Sequence, residues 1–230
     1  QVNWAEMYRQ NMDPENRRKY NGAALYMVEK RHSDLLEGTI SSTFNKLYDN
    51  NMRLTAGVEA RRSRSYQYKT VADLLGADYV LDRDKFAERD FPGNNDTKQN
   101  DLLYPDRKAY VDDIFGYDFN LDINAVNAWV MNSYQTHALD FFYGAKFTYT
   151  DFQRQGNMMN GRFPDTSYGK GAKFSFTDFV FKGGATYKFN GRHFLTANIS
   201  YGTEAPIPDR AYVMPRVTEQ VVKGLSSSKI

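Results

Sequence analysis

Three histidines and no cysteine limit the chemistry this chain could perform. His32, His137 and His193 stand far apart, with no His-x-His or His-x-x-x-His spacing to bring two imidazoles to one metal. Without cysteine there is no thiolate zinc site, no disulfide framework and no thiol nucleophile. Ser226-Ser227-Ser228-Lys229 has the Ser-x-x-Lys spacing in which a lysine activates a serine, but the companion Ser-Asp-Asn and Lys-Thr-Gly motifs are missing. Gly169-Lys170-Gly171 carries part of a phosphate-loop pattern. Neither the Ser or Thr that should follow the lysine nor a helical pattern is there. Asn95-Asp96-Thr97 and Asn198-Ile199-Ser200 are formal glycosylation sequons and no more. No catalytic residue, metal centre or cofactor is expected, and the chain does not read as an enzyme.

Two other sets of charged residues remain. Between 70 and 116 run Asp78, Asp82, Asp84, Glu88, Asp90, Asp96, Asp101, Asp106, Asp112 and Asp113. That density of oxygen ligands suits calcium, but the Asp-x-Asp-x-Asp-Gly spacing is absent and Lys and Arg are interleaved. A solvated surface loop is expected there, with a short helical turn over Val71-Ala72-Asp73-Leu74-Leu75. The second set is periodic. Arg53, Glu59, Arg61, Asp118, Asn120, Asp122, Lys146, Asp178, Lys182 and Lys188 alternate with apolar neighbours and are expected to face a wet interior, where they would contact a passing solute or an internal domain. The alternative is that they only solvate a wall.

The elements that must position these residues are strands, because the hydrophobic period is two. Leu139, Phe141, Tyr143, Ala145, Phe147 and Tyr149 form an apolar row opposed by Asp140, Gly144, Lys146, Thr148 and Thr150. Phe119, Leu121, Ile123 and Ala125 alternate with Asp118, Asn120, Asp122 and Asn124. Met52, Leu54, Ala56, Val58 and Ala60 alternate with Arg53, Thr55, Gly57, Glu59 and Arg61, after a strand placed at about 24–47. Phe179, Phe181, Gly183, Ala185 and Tyr187 lead to Asn190-Gly191, the dipeptide of a type I′ hairpin turn, and Leu195, Ala197, Ile199 and Tyr201 follow it. This makes three hairpins and six strands. Short turns at one end (Tyr48-Asp49-Asn50-Asn51, Tyr134-Gln135-Thr136, Asn190-Gly191) contrast with long polar connections at 1–23, 70–116, 153–171 and 205–230. Connections that long are rare in compact soluble domains. Short turns against long loops are the plan of an outer-membrane barrel.

Composition fits that plan without requiring it. The 230 residues have a mean hydropathy of -0.69, 25% charged residues and 15% aromatics, with 17 Tyr and 16 Phe against 2 Trp. Half-lipid, half-water strands give such averages. A soluble sandwich also alternates, but its core would favour Val, Ile and Leu over rows of Phe and Tyr. The net charge of +2 is too mild for a nucleic-acid partner, and Arg61-Arg62-Ser63-Arg64 reads as a solvated strand end. No apolar run approaches the ~18 residues of a helical span. The opening Gln1-Val2-Asn3-Trp4 has neither the charged nor the apolar region of a targeting signal.

Several stretches resemble TonB-dependent receptors of Gram-negative outer membranes, particularly those of glycan users. They are Leu54-Thr55-Ala56-Gly57-Val58-Glu59, Asp73-Leu74-Leu75-Gly76-Ala77-Asp78-Tyr79, Phe86-Ala87-Glu88-Arg89-Asp90-Phe91, Asn160-Gly161-Arg162-Phe163-Pro164, Ser167-Tyr168-Gly169-Lys170-Gly171, Asn190-Gly191-Arg192-His193-Phe194-Leu195-Thr196-Ala197-Asn198, and Ala205-Pro206 through Pro215-Arg216. The resemblance implies an antiparallel transmembrane β-barrel segment of about six strands from a 22-stranded barrel, so that 1–230 is a partial barrel domain with extracellular loops at 1–23, 70–116, 153–171 and 205–230. It implies the cell outer membrane as location and active import of a glycan, siderophore or cobalamin-like nutrient. It also implies as partners the membrane lipid, the TonB complex through an N-terminal plug region not found here, the ligand, and a surface lipoprotein. With no plug, TonB box or terminal aromatic strand, the chain is expected to be a fragment. A passive porin-like or structural barrel, a barrel enzyme and a soluble glycan-binding β-sandwich stand as alternatives.

Overall fold

The computed structural model describes residues 2–230. Period-two patterning gives six long strands: β1 (Val28–Leu47), β2 (Met52–Asp73), β5 (Ile114–Gln135), β6 (Leu139–Gly156), β7 (Gly169–Asn190) and β8 (His193–Glu204). Three of them, β2, β5 and β7, each run for 22 residues, far longer than the 5–6 residues usual for a strand. All pairings are antiparallel and the order is β1-β2-β5-β6-β7-β8, extended by a two-residue strand β9 (Ser228–Lys229). A separate small hairpin joins β3 (Val80–Leu81) to β4 (Lys108–Ala109). The fold is therefore all-β and antiparallel, with five short helices confined to the connections: α1 (Trp4–Met12), α2 (Pro14–Lys19), α3 (Lys85–Asp90), α4 (Pro164–Ser167) and α5 (Pro208–Ala211). No described helix is long and apolar enough to cross a membrane, which says nothing of strands.

Among the described residues the sheet does not close. The outer edge of β1 has no partner, and that of β8 is paired only at Thr203 and Glu204. The hairpin turns lie at one end, over Tyr48–Asn51, Thr136–Ala138 and Gly191–Arg192. The last differs from the expected type I′ turn. Asn190 pairs with His193, so the loop residues are Gly191 and Arg192, and neither Asn190 nor Gly191 has positive φ. Instead the Asn190 carboxamide Oδ1 accepts the Arg192 and His193 amides at 2.9 and 3.0 Å, a side-chain turn that does not need the left-handed conformation.

The opposite end is packed rather than loosely solvated. The strands run further into the connections than their polarity suggested, to Asp73 and Gly156 and from Ile114 and Gly169. Val71–Asp73 is strand, not helical turn, and the chain leaves it through Leu75 and Gly76, both at positive φ. Asp13 caps α2 through the Glu15 and Asn16 amides, with Pro14 supplying the fixed φ at its start. Asn11, at the end of α1, is 4% exposed. It clamps three segments by donating to the Tyr26 and Leu74 carbonyls and accepting from the Leu25 and Tyr26 amides. Val71, Leu74, Val80, Ala109 and Phe115 make a small core beneath.

Acids expected to be solvated are built into this end. Asp82 is 2% exposed and receives Arg107, Asn100 and the Gly116 amide. Asp101 accepts the Leu103 and Met159 amides, tying the 74–113 excursion to that at 157–168. A buried carboxylate is tolerable only with such partners. No cluster of three or more His, Cys, Asp or Glu side chains fit to hold a metal occurs among the described residues.

Candidate functional site

Register decides which side chains share a face, because cross-strand partners point the same way. One face carries, row by row, Phe44–Ala56–Val130–Ala145–Phe181–Tyr201, then Ser42–Val58–Ala128–Phe147–Phe179, then Ile40–Ala60–Val126–Tyr149. None of the described residues covers it: Ile40 is 76% exposed, Tyr143 55%, Phe181 57% and Ile199 74%. One step further from the turns the same face becomes Gly38–Arg62–Asn124–Asp151–Ser175, and next Leu36–Arg64–Asp122–Gln153–Lys173, in which only Leu36 of the edge strand is apolar. Arg64 and Asp122 form a two-point ion pair there, and Lys173 reaches Asp151 at 3.1 Å. The apolar face thus ends at one level across β2, β5, β6 and β7 and runs further, to Leu36, on β1.

On β5, β6 and β7 the other face changes in the opposite sense at the same level, while β2 stays polar there with Ser63, Ser65 and Gln67. Towards the turns this face holds Arg53, Thr55, Glu59, Arg61, Trp129, Asn127, Lys146, Thr148, Asp178 and Lys182. Beyond that level it holds Phe119, Leu121, Ile123, Phe152, Phe174 and Phe176, buried beneath Ala211, Tyr212, Val221 and Leu225 of the C-terminal segment. This corrects the expected facing of β5. Asp118, Asn120 and Asp122 do not share a surface with Lys146. They lie on the face of the Phe141–Tyr149 row, above its apolar part, and Phe119, Leu121, Ile123 and Ala125 point the other way. Within β5 the apolar positions move from odd numbers to even at Ala125–Val126, so one alternation cannot be carried along the whole strand. Burial raises the pKa of Asp118, whose carboxylate accepts from Asn157 at 2.9 Å.

Of the residues expected to line a wet interior, Glu59, Arg61, Lys146, Asp178 and Lys182 border one concavity of about 820 Å³ on the inner face. It reaches from Leu35 and Glu37 on β1 to Thr203 at the end of β8, so the sheet curls around it. Arg53 shares the face but lies nearer the turns, opposite Ser133. Lys188 lies there too, paired with Asp140 at 2.6 Å. Sequence reading missed Asn127 and Trp129. The indole lies across Gly57, where a Cβ would come within 2.7 Å of the ring, so Gly57 is the seat that lays Trp129 along the wall. Sequence offers one signal for this, a glycine inside a strand where another group must approach closely.

A hydrogen-bonded row crosses the floor. Glu59, Asn127, Thr148 and Asp178 are successive cross-strand neighbours. Asn127 Nδ2 donates to Glu59 Oε1 at 3.1 Å and Thr148 Oγ1 donates to Asn127 Oδ1 at 2.9 Å. Asp178 Oδ1 accepts from Thr203 Oγ1 at 2.7 Å, while its Oδ2 has no partner although the residue is 2% exposed. Arg61 faces Glu37 at 4.0 Å. Acids and bases alternate around the concavity, so no single sign prevails.

The C-terminal segment closes the far side. Arg154, 2% exposed, donates Nε to the Pro215 carbonyl at 2.6 Å and Nη1 to the Ser167 carbonyl at 2.8 Å, and its guanidinium lies 5.2 Å from the Phe119 ring centre. Burial lowers its pKa to about 10. Tyr212 stands edge-on to Phe152 and Phe174; its hydroxyl has no hydrogen-bond partner, and burial pushes its pKa up to about 12. These contacts pack the C-terminal segment against the sheet. Comparison of the chain with protein-family profiles, with curated proteins and with solved structures finds no match.

Proposed function

We propose that this chain is a stretch of the wall of a transmembrane β-barrel in a Gram-negative outer membrane, belonging to a TonB-dependent receptor that imports a nutrient. The observation that carries the reading is the level at which both faces of β5, β6 and β7 exchange polarity. Below it the outward face is apolar and uncovered for eleven residues of β6, Leu139–Tyr149. About 9–11 tilted residues cross a bilayer, and a barrel's apolar band stands about 25 Å tall. A soluble sheet has no reason to leave such a band bare across its strands and end it at one level on β2, β5, β6 and β7. An exposed apolar surface of this extent marks contact with lipid or protein. The strand ends beyond that level would project from the membrane, with their buried core on the inner side and charges outside. The free edges of β1 and β8 would pair with further strands of the barrel, since an exposed edge this long invites pairing.

The curved inner face, polar and furnished with Trp129, would be the solute path. Energy would come from the TonB complex acting on a plug, loops would take the ligand from outside, and a surface lipoprotein is a partner the resemblance adds. Spin labels test the wall. Cysteines introduced singly at 139–149 of the Cys-free chain in lipid vesicles should alternate: odd positions accessible to oxygen in the lipid, even positions to a water-soluble nickel complex. Uniform accessibility on both faces refutes the wall. Transport is tested separately by offering cells neutral oligosaccharides, ferric chelates and corrinoids, with and without the protein. Uptake that depends on the protein and stops with a protonophore supports energised import. Uptake indifferent to the protonophore identifies a passive pore.

A further inference from the structure

Asn190-Gly191 is one of three Asn-Gly pairs in the chain, with Asn21-Gly22 and Asn160-Gly161. In such a pair the backbone nitrogen after the asparagine can close a ring on the side-chain carboxamide, because glycine has no Cβ to crowd it. Closure needs a glycine N–H that no carbonyl holds. Two of the three fail that requirement: Gly22 donates to the Arg17 carbonyl and Gly161 to the Gln99 carbonyl, each at 2.9 Å. Asn160 is also buried, at 3% exposed. The Gly191 amide has no hydrogen-bond partner among the described residues, and both Asn190 and Gly191 are exposed.

The Asn190 carboxamide is arranged as the electrophile. Its Oδ1 reaches over the Gly191 peptide to the Arg192 and His193 amides, and the His193 ring nitrogen Nδ1 lies 3.0 Å from the same oxygen. Donors aimed at a carbonyl oxygen stabilise the negative charge it gains when its carbon is attacked. All these contacts fall on Oδ1, so Nδ2 is free to leave. We infer that Asn190 is a self-modification site, at which the folded chain converts asparagine to aspartate and isoaspartate. The Gly191 nitrogen gives its proton to water or hydroxide and bonds to Asn190 Cγ. The Cγ–Nδ2 bond breaks, and Nδ2 takes a proton from solvent and departs as ammonia, leaving a cyclic imide. Water then opens the imide, with no oxidation or reduction. Opening at Cγ gives aspartate; opening at the backbone carbonyl gives isoaspartate, with the chain rerouted through the former side chain. Either product places a carboxylate beside Arg192 in the β7–β8 connection. Neither step depends on what the barrel carries.

Trypsin separates the three pairs into the peptides Tyr20–Lys30, Gln155–Arg162 and Phe189–Arg192. The chain, folded in detergent micelles, is held in mildly alkaline buffer made with oxygen-18 water, then digested in ordinary water and its peptides sequenced by mass spectrometry. The isotope marks acid formed before digestion. Asn190 should gain labelled acid, as both aspartate and isoaspartate, about tenfold faster than Asn21 and Asn160, the effect on a barrier of one net hydrogen bond. In urea, where those hydrogen bonds are gone, the three rates should converge. Gly191→Ala should slow labelling about tenfold by crowding the attacking nitrogen. Its Cβ would have nothing within 4 Å and the position has no positive φ, so far-UV circular dichroism should be unchanged. Labelling at Asn190 that is absent, or no faster than at the other two, overturns the proposal. So do aspartate without isoaspartate, a rate unchanged by Gly191→Ala, and a preference for Asn190 that persists in urea.

Discussion

The substitution Ala145→Arg puts the proposed lipid face under the most direct strain. Ala145 is the seventh of the eleven residues Leu139–Tyr149 and lies between Val130 and Phe181 on the uncovered face. At about 3.3 Å per residue it stands roughly 20 Å along the strand from Leu139 and roughly 13 Å from Tyr149. A tilt near 45° turns those into about 14 and about 9 Å from the two edges of a band about 25 Å tall, so the new guanidinium would sit near the midplane. There an arginine costs about 2–4 kcal/mol. Thr55→Arg is the control. Thr55 pairs with Met131 on the inner face, two strands away at a nearby level, and arginine there should cost less than about 0.5 kcal/mol, the ordinary surface range. The assay is urea unfolding of each variant reconstituted in lipid vesicles, followed by tryptophan emission. If Ala145→Arg falls within about 0.5 kcal/mol of the unaltered chain, or if Thr55→Arg costs as much, the outward face does not meet hydrocarbon.

Three other outcomes follow from the packing. Gly57→Ala should destabilise by about 1–2 kcal/mol and shift Trp129 emission, since the added methyl would meet the indole at 2.7 Å; an unchanged spectrum in the Trp4→Phe background would show that the ring is not seated there. Arg154→Met should cost about 2–4 kcal/mol, because two buried carbonyls lose a charged donor. Relief of the guanidinium's own burial offsets part of this, and tryptic cleavage at Arg210, Arg216 or Lys223 should quicken at least tenfold. Tyr212→Phe should be neutral or stabilising by up to about 1 kcal/mol, as it removes an unpaired buried hydroxyl. Because the folded state raises the Tyr212 pKa from 10.0 to about 12, its neutral form stabilises the fold fully below pH 10. That contribution is lost between pH 10 and about 12, so unfolding titrations of Tyr212→Phe should show a shallower fall in that window.

Much of the fold was legible from local rules. Period-two rows announced six strands, and short turns against long connections announced their hairpin pairing, because side-chain alternation and turn length act between neighbours in the chain. Glu59, Arg61, Lys146, Asp178 and Lys182 could be placed on a polar face for the same reason. The type of turn at Asn190-Gly191 could not be read, since the dipeptide permits a left-handed turn but a side-chain turn from Asn190 serves as well. Nor could the facing of Asp118, Asn120 and Asp122. Alternation says that neighbours oppose one another, never which set faces inward, and in β5 the apolar set changes sides at Ala125–Val126.

What the sequence by itself determined is the strand, its period and its partners along the chain. Only tertiary structure decided the rest: that the polarity of both faces of β5, β6 and β7 changes at one level, that Gly57 and Trp129 meet, and that the C-terminal segment buries Phe152 while Thr148 turns its proton from Asp178. Each of these depends on cross-strand register and on segments far apart in sequence, and a period of two carries no information about either.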